Sequence, residues 1–202
     1  EEAAIDYAIS KGVPVVAAAG NKGTSGMDWP GAYEQVISVG ACGWTLEWIG
    51  GGPPAGWWMD DVPENLNTPD TLGNTFQGYI TDFSGREMTG QDVDIVAPGS
   101  WVVGPYFPNG VSQPQGGYYY LGGTSMATPH VSGIVALMLQ KNPTMAALAI
   151  EPILETSCVS IPTTSAWVIN PFTGNPEEMT WGSDATGAGI IQADLAISNT
   201  PP

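Results

Sequence analysis

Residues 13–20 read VPVVAAAG, an apolar stretch without polar alternation. A strand with one face in water alternates, whereas a strand buried on both faces is apolar throughout, as in a central parallel sheet. The same signature returns in QVISVGAC (35–42) and VDIVAPG (93–99), and YYYLGG (118–123) reads as a fourth strand. Helical patterns lie between them. Ile5, Ala8 and Ile9 mark one face of a helix that ends at Gly12. Segment 125–140 is apolar on most sides, which predicts a buried helix. Pro143 predicts the start of another helix, reaching to about Thr156, and GAGIIQADLAI (187–197) predicts a short strand and a terminal helix. Short apolar strands interleaved with helices specify an α/β fold with a parallel sheet.

At 202 residues the chain can bury one substantial core, so a single domain over 1–202 is expected. It carries 20 acidic residues against Lys11, Lys22, Arg86 and Lys141, a net charge of −16. That balance excludes the electrostatic footprint of a nucleic-acid binder and argues against an anionic membrane surface as partner. Only 12% of residues are charged, and Trp, Tyr, Thr and Asn take up much of the polar role, a composition suited to a secreted protein. Cys42 and Cys158 lie far apart, and with a single histidine they form no zinc spacing. A disulfide between them is compatible with secretion, but two buried free thiols are the favoured expectation. The longest apolar run is far too short to span a bilayer.

GGTSMATPHVSGIVALMLQKNP (122–143) places one serine at the mouth of the apolar helix. Serine is a good helix opener, so Ser125 has an ordinary reading as a cap. It also has a chemical one. A nucleophilic serine needs an exposed oxygen, a base beside it and donors aimed at the oxyanion. A helix start supplies free backbone N–H groups and the positive end of the dipole. Gly122 and Gly123 leave the approach open to a peptide backbone, and Pro129 falls where a missing N–H is expected to cost little. Far upstream, Asn21 follows the strand 13–20 through Gly20. An asparagine at the carboxyl end of a strand can donate its amide to an oxyanion, and ligands of open α/β sheets bind at that edge.

These stretches resemble the subtilisin-like serine proteases, the subtilases. GTSMATPHVSG is similar to their serine signature and VVAAAGNKGTSG to their oxyanion-asparagine segment, while VISVGA, VDIVAPG and GAGIIQADLAI follow in the family's order. The similarity covers 3–42, 82–103, 118–156 and 185–197; Ser132 stands where the family often has alanine. The resemblance implies a three-layer subtilisin-like fold and peptide-bond hydrolysis. It implies Ser125 as the nucleophile and Asn21 as an oxyanion donor beside the backbone N–H of Ser125, with Thr124 supporting that hole from the side. It further implies that Ala18, Ala19 and Gly20 line the primary specificity pocket. Their small side chains make it roomy and apolar, suited to large hydrophobic or aromatic residues before the scissile bond.

The departure from the family is equally informative. Subtilisins order their triad Asp, His, Ser. Here the single histidine, His130, follows the serine, and it is expected to be packed in the core on the serine helix. The chain therefore reads as the C-terminal half of a subtilase catalytic domain, with the catalytic Asp and His supplied by an upstream segment or companion chain. A sheet divided there exposes an apolar edge, so the chain is not expected to be stable alone. The alternative is a non-catalytic scaffold or interaction subunit with the same fold; retention of both Ser125 and Asn21 favours the enzyme. No cofactor is expected for catalysis.

Two stretches exceed what the resemblance requires, at about 43–78 and 159–185. Trp44, Trp48, Trp57 and Trp58 suit either a docking surface or a small satellite core, the latter being favoured. Asp60, Asp61, Asn65, Asn67 and Asp70 offer oxygen atoms for a structural calcium, in a spacing that matches no EF-hand; no metal-ligand set is assigned. The stretch 159–185 reads as a loop without an assigned use.

Overall fold

The structure is a computed structural model that describes residues 1–48, 66–106 and 117–202. Helix α1 (Glu2–Ser10) leads to strands β1 (Val16–Ala18) and β2 (Ile37–Trp44), then β3 (Gly78–Ile80) and β4 (Ile95–Pro98). Strands β5 (Val102–Tyr106) and β6 (Gly117–Leu121) precede helices α2 (Thr124–Lys141) and α3 (Ile150–Glu155). The chain ends with β7 (Cys158–Val159), β8 (Ser165–Ile169), β9 (Pro176–Thr180), β10 (Ile190–Ile191) and α4 (Ala193–Asn199).

The main sheet has the order β1-β2-β4-β10-β7, and β3 pairs with the far end of β2. Its first four strands are parallel, with Val16 opposite Ile37, Val39 opposite Ile95, and Val96 opposite Ile190. Both faces are covered, which explains the absence of alternation in the sequence. On one face Ile37, Val39 and Ala41 pack with Ala127, Val131, Val135 and Met138 of α2, together with Ile150 and Leu154 of α3 and Ala196 of α4. On the other face Cys42 and Val96 pack with Phe76, Ile80, Ala166 and Val168. Toward the β1 edge, Ala17 and Val36 pack with Ile5 of α1. Helices and a hairpin thus sandwich the sheet, giving three layers.

Several local expectations change. The YYYLGG strand does not join the parallel sheet; β6 pairs antiparallel with β5 as a separate ribbon, Val102 opposite Leu121. The stretch 159–185 contains the antiparallel hairpin β8–β9. Pro143 opens no continuous helix: a 3₁₀ turn at Ala147–Ala149 precedes α3, and Asn142 Oδ1 accepts from the Thr144 N–H at 3.1 Å. That side-chain bond offers the backbone an alternative to helical pairing. Helix α2 is buried on one face only, with His130, Gly133, Ala136 and Leu137 exposed on the other. Its apolar composition exceeds what the described core uses. Pro129 lies within α2 beyond the first turn, so the carbonyl four residues earlier, that of Ser125, loses its helical donor.

Candidate active site

Two strand ends at the carboxyl edge of the sheet converge at the start of α2. Strand β4 runs into Gly99, whose carbonyl accepts from the Gly123 N–H at 2.8 Å. A Cβ on Gly99 would stand 2.6 Å from Ala41 Cβ and 2.9 Å from the Gly123 carbonyl, so only glycine allows this contact. Strand β1 continues its pairing through Ala19, whose N–H donates to Val39 at 3.0 Å. The chain then turns at Gly20, in the left-handed region at φ 103°. The Gly20 N–H donates to Thr124 Oγ1 at 3.2 Å.

Asn21 is oriented by the same threonine. Its Oδ1 accepts from the Thr124 N–H at 2.9 Å and from Thr124 Oγ1 at 3.0 Å. A backbone N–H can only donate, so the atom it meets is the carboxamide oxygen. The Asn21 Nδ2 group is thereby left to donate elsewhere. Thr124 is fully buried, while Asn21 and Ser125 are exposed. A Cβ on Gly123 would lie 3.7 Å from Asn21 Nδ2, so the amide and the start of α2 face a common space. The first-turn N–H of Ser125 has no helical acceptor. Two donors and an exposed hydroxyl at one helix start are the arrangement that acyl transfer requires on the oxyanion side.

The other candidate residues fall in place differently. Ala18 is half-buried beside this turn, but Ala19 is wholly enclosed in the core and its side chain faces no open pocket. Beside Gly20 stands a carboxylate: Asp28 Oδ2 lies 2.7 Å from where a Gly20 Cβ would be. Asp28 Oδ1 pairs with Lys22 Nζ at 2.5 Å. The wall next to Gly20 is therefore charged rather than wholly apolar. The sequence offered only the closeness of Lys22 and Asp28 as a signal. His130 is not packed in the core. It is exposed, and its Nδ1 bonds the Met126 carbonyl at 2.9 Å, one turn back along α2. It makes no hydrogen bond to Ser125.

Elsewhere, Asp70 has both carboxylate oxygens occupied. They accept from the Leu72 and Asn74 N–H groups, from Thr45 Oγ1 at 2.6 Å and from Asn74 Nδ2 at 2.7 Å. Burial opposes ionisation of Asp70, but the bonds from Asn74 and Thr45 outweigh it and hold its pKa below the ordinary value. This carboxylate ties a loop rather than presenting itself to a cation. Trp57, Trp58, Asp60, Asp61 and Asn65 lie outside the described residues. Trp48 is buried and stacks edge-on against Trp101, ring centroids 5.3 Å apart, and near Tyr120 at 5.8 Å, as a satellite core does. Cys42 and Cys158 are free thiols, each pushed up to about 12, chiefly by burial.

Sequence reasoning missed an acidic cluster: carboxylate oxygens of Asp94, Glu151 and Glu155 lie within 4.8 Å of one another. Burial pushes Asp94 up to about 6 although Ser38 hydrogen-bonds it. Burial and then the neighbouring Asp94 and Glu155 push Glu151 up to about 7.

Among the described residues no helix is long and apolar enough to cross a membrane. The profile of the Subtilase family matches residues 1–184. Subtilisin BL of Lederbergia lenta is 33% identical over 166 residues, which span 82% of this chain and 46% of that protein. Thermitase of Thermoactinomyces vulgaris is 32% identical over 135 residues, 67% of this chain and 33% of thermitase. The crystal structure of fervidolysin from Fervidobacterium pennivorans, a keratinolytic enzyme related to subtilisin, superposes with a TM-score of 0.61 at 27% identity. It is matched over 98% of this chain and 24% of fervidolysin. The prenylagaramide maturation protease PagA shares the fold, with a TM-score of 0.61 at 24% identity. The chain spans about half the length of curated relatives such as subtilisin BL. On its profile match, its three-layer fold and its identity to curated subtilisins, this chain belongs to the subtilase family.

Proposed function

We propose that this chain contributes the nucleophile Ser125 and the oxyanion donors of a subtilisin-type serine endopeptidase acting on polypeptides outside the cell. The observation that carries the reading is the orientation of Asn21. Its carboxamide oxygen is held by Thr124, so Nδ2 is free to donate where charge develops on a carbonyl attacked by Ser125. A scaffold has no need of that arrangement. The catalytic Asp and His come from an upstream segment or companion chain. In support, the sole histidine is bonded to Met126 and not to Ser125. The exposed Leu137 face of α2 and the edge position of β1 offer the surfaces on which such a segment packs.

In the mechanism, the Ser125 hydroxyl loses its proton to the supplied imidazole as its oxygen attacks the scissile carbonyl. The tetrahedral oxyanion is met by Asn21 Nδ2 and the Ser125 N–H. Collapse then expels the amine, which takes the proton from the imidazolium, and leaves an acyl-enzyme that water hydrolyses with the same imidazole as base. Thr124 acts through Asn21 as a positioning residue. Catalysis in this reading needs no cofactor. A fluorophosphonate probe applied to the complete protein should label Ser125, and labelling should vanish in Ser125→Ala and fall sharply when the supplied histidine is replaced. A complete protein that resists the probe under conditions that fully label another serine protease overturns the reading in favour of a non-catalytic subunit.

A further inference from the structure

A cleft of about 350 Å³ adjoins Gly122, three residues before Ser125. One wall is the hairpin β8–β9, which the active-site reading leaves without a use; the others are the Phe83 segment and the turn Ser100–Trp101 after β4. The lining combines carboxylates with aromatic rings. Glu47, Asp82 and Glu177 supply the acids, and Phe83, Trp101 and Phe172 the rings. No lysine, arginine or histidine lines it among the described residues. Arg86 lies within electrostatic reach of Asp82 but is buried and does not face the cleft.

These groups are held in place. Glu47 Oε1 accepts from the Tyr79 hydroxyl at 2.5 Å and from Ser100 Oγ at 2.8 Å. Glu177 Oε2 accepts from Asn170 Nδ2 at 3.0 Å across the hairpin. Trp101 adopts a left-handed backbone, φ 47°, uncommon for so bulky a residue and costly unless its surroundings enforce it. Its ring meets Phe172 of the hairpin turn edge-on at 5.7 Å and Trp48 behind it. Phe172 is 84% exposed, so the ring at the cleft's lip faces water.

A long basic side chain matches this lining. Its methylene stem and cationic head sit well on aromatic faces, and its N–H groups pair with carboxylates. An acidic side chain meets like charge there, and an aliphatic one gives Asp82 and Glu177 no cationic partner. We infer that the cleft between the β8–β9 hairpin and Gly122 is a subsite for an arginine or lysine side chain of the polypeptide substrate, close to the scissile bond. The inference rests on the reading of Ser125 as nucleophile. It makes Asp82 and Glu177 specificity-determining residues and gives the hairpin its role.

The test separates the subsite from the chemistry. The complete protein carrying Ser125→Ala is titrated by calorimetry with a set of octapeptides in which a single arginine is walked through an otherwise Gly/Ala sequence. A matching set carries glutamate. At one position arginine should bind about tenfold tighter than glutamate, and the preference should disappear in Asp82→Asn/Glu177→Gln. Arginine binding no better than glutamate at every position, absence of binding, or a preference that survives the double variant each overturns the inference. Failure of fluorophosphonate labelling in the wild-type protein, with the arginine preference intact, instead overturns the nucleophile reading and leaves a basic-peptide binding cleft.

Discussion

Thr124 holds Asn21 twice, donating its backbone N–H and its hydroxyl to the same carboxamide oxygen at 2.9 and 3.0 Å. One buried side chain thereby decides which way an exposed amide points. If Asn21 Nδ2 bonds an oxyanion more strongly than a ground-state carbonyl, its loss should appear in turnover rather than in binding. Asn21→Ala in the complete protein is expected to lower kcat by about 10²–10³-fold with KM little changed, a magnitude borrowed from a subtilisin asparagine of the same role. Steady-state kinetics on a peptide substrate check this. A variant that changes KM alone removes the oxyanion role.

The threonine itself is separable from the asparagine. Thr124→Val keeps the N–H bond but removes the hydroxyl, leaving the Gly20 N–H without its acceptor. A cost of about 1–3 kcal/mol in stability is expected, with kcat reduced about tenfold. Thr124→Ser keeps the hydroxyl and should restore the greater part of kcat. Denaturant melts and kinetics on the pair distinguish positioning from simple packing.

The acidic cluster sets a pH dependence of the opposite sign to ordinary acid denaturation. Unfolded carboxyls titrate near 4, while Asp94 and Glu151 keep their protons to about 6 and about 7 in the fold. Between those values the native state binds more protons than the unfolded chain. Their contribution to stability is therefore fully present below about pH 4 and lost as pH rises through 6 to 7. Glu151→Gln should raise the melting temperature of the complete protein at pH 8 and leave it nearly unchanged at pH 4. Equal shifts at both pH values would show that the cluster is not what titrates.

The two thiols give a direct measurement. Burial of Cys42 and the raised pKa of both groups predict slow reaction with Ellman's reagent in the native protein at pH 8. In guanidinium, without reductant, both should react at once. Fewer than two thiols released on unfolding would mean that Cys42 and Cys158 are bonded.

Strands β1, β2 and β4 were legible because burial on both faces leaves a continuous apolar run, and no tertiary information is needed to see it. The positions of Ser125 at a helix start and of Asn21 after a strand end were legible, because the apolar runs beside them mark where that helix begins and that strand ends. The resemblance implied Thr124 beside them, but not how it acts: its N–H and hydroxyl both hold the Asn21 carboxamide oxygen, a contact that no local pattern signals. YYYLGG misled for a related reason: aromatic and β-branched residues mark a strand but not its partner, and β6 pairs with β5 outside the main sheet. His130 was expected inside because α2 is apolar on most sides, yet only one of those sides meets the described core. The Asp28 carboxylate beside Gly20 could not be foreseen from spacing, because the turn that returns it has no regular period.

The Asn21–Thr124 contact joins residues 103 positions apart. Contacts of such separation form only after the intervening loop has closed, and closing long loops is entropically slow. The turn at Gly20 and the start of α2 are therefore expected to meet after β1, β2 and β4 have paired and α2 has settled on them. In the proposed enzyme the oxyanion donor would thus be aimed among the last events of folding. A nascent or partly unfolded chain carries the serine without a directed amide, so the order of assembly itself would guard against premature proteolysis.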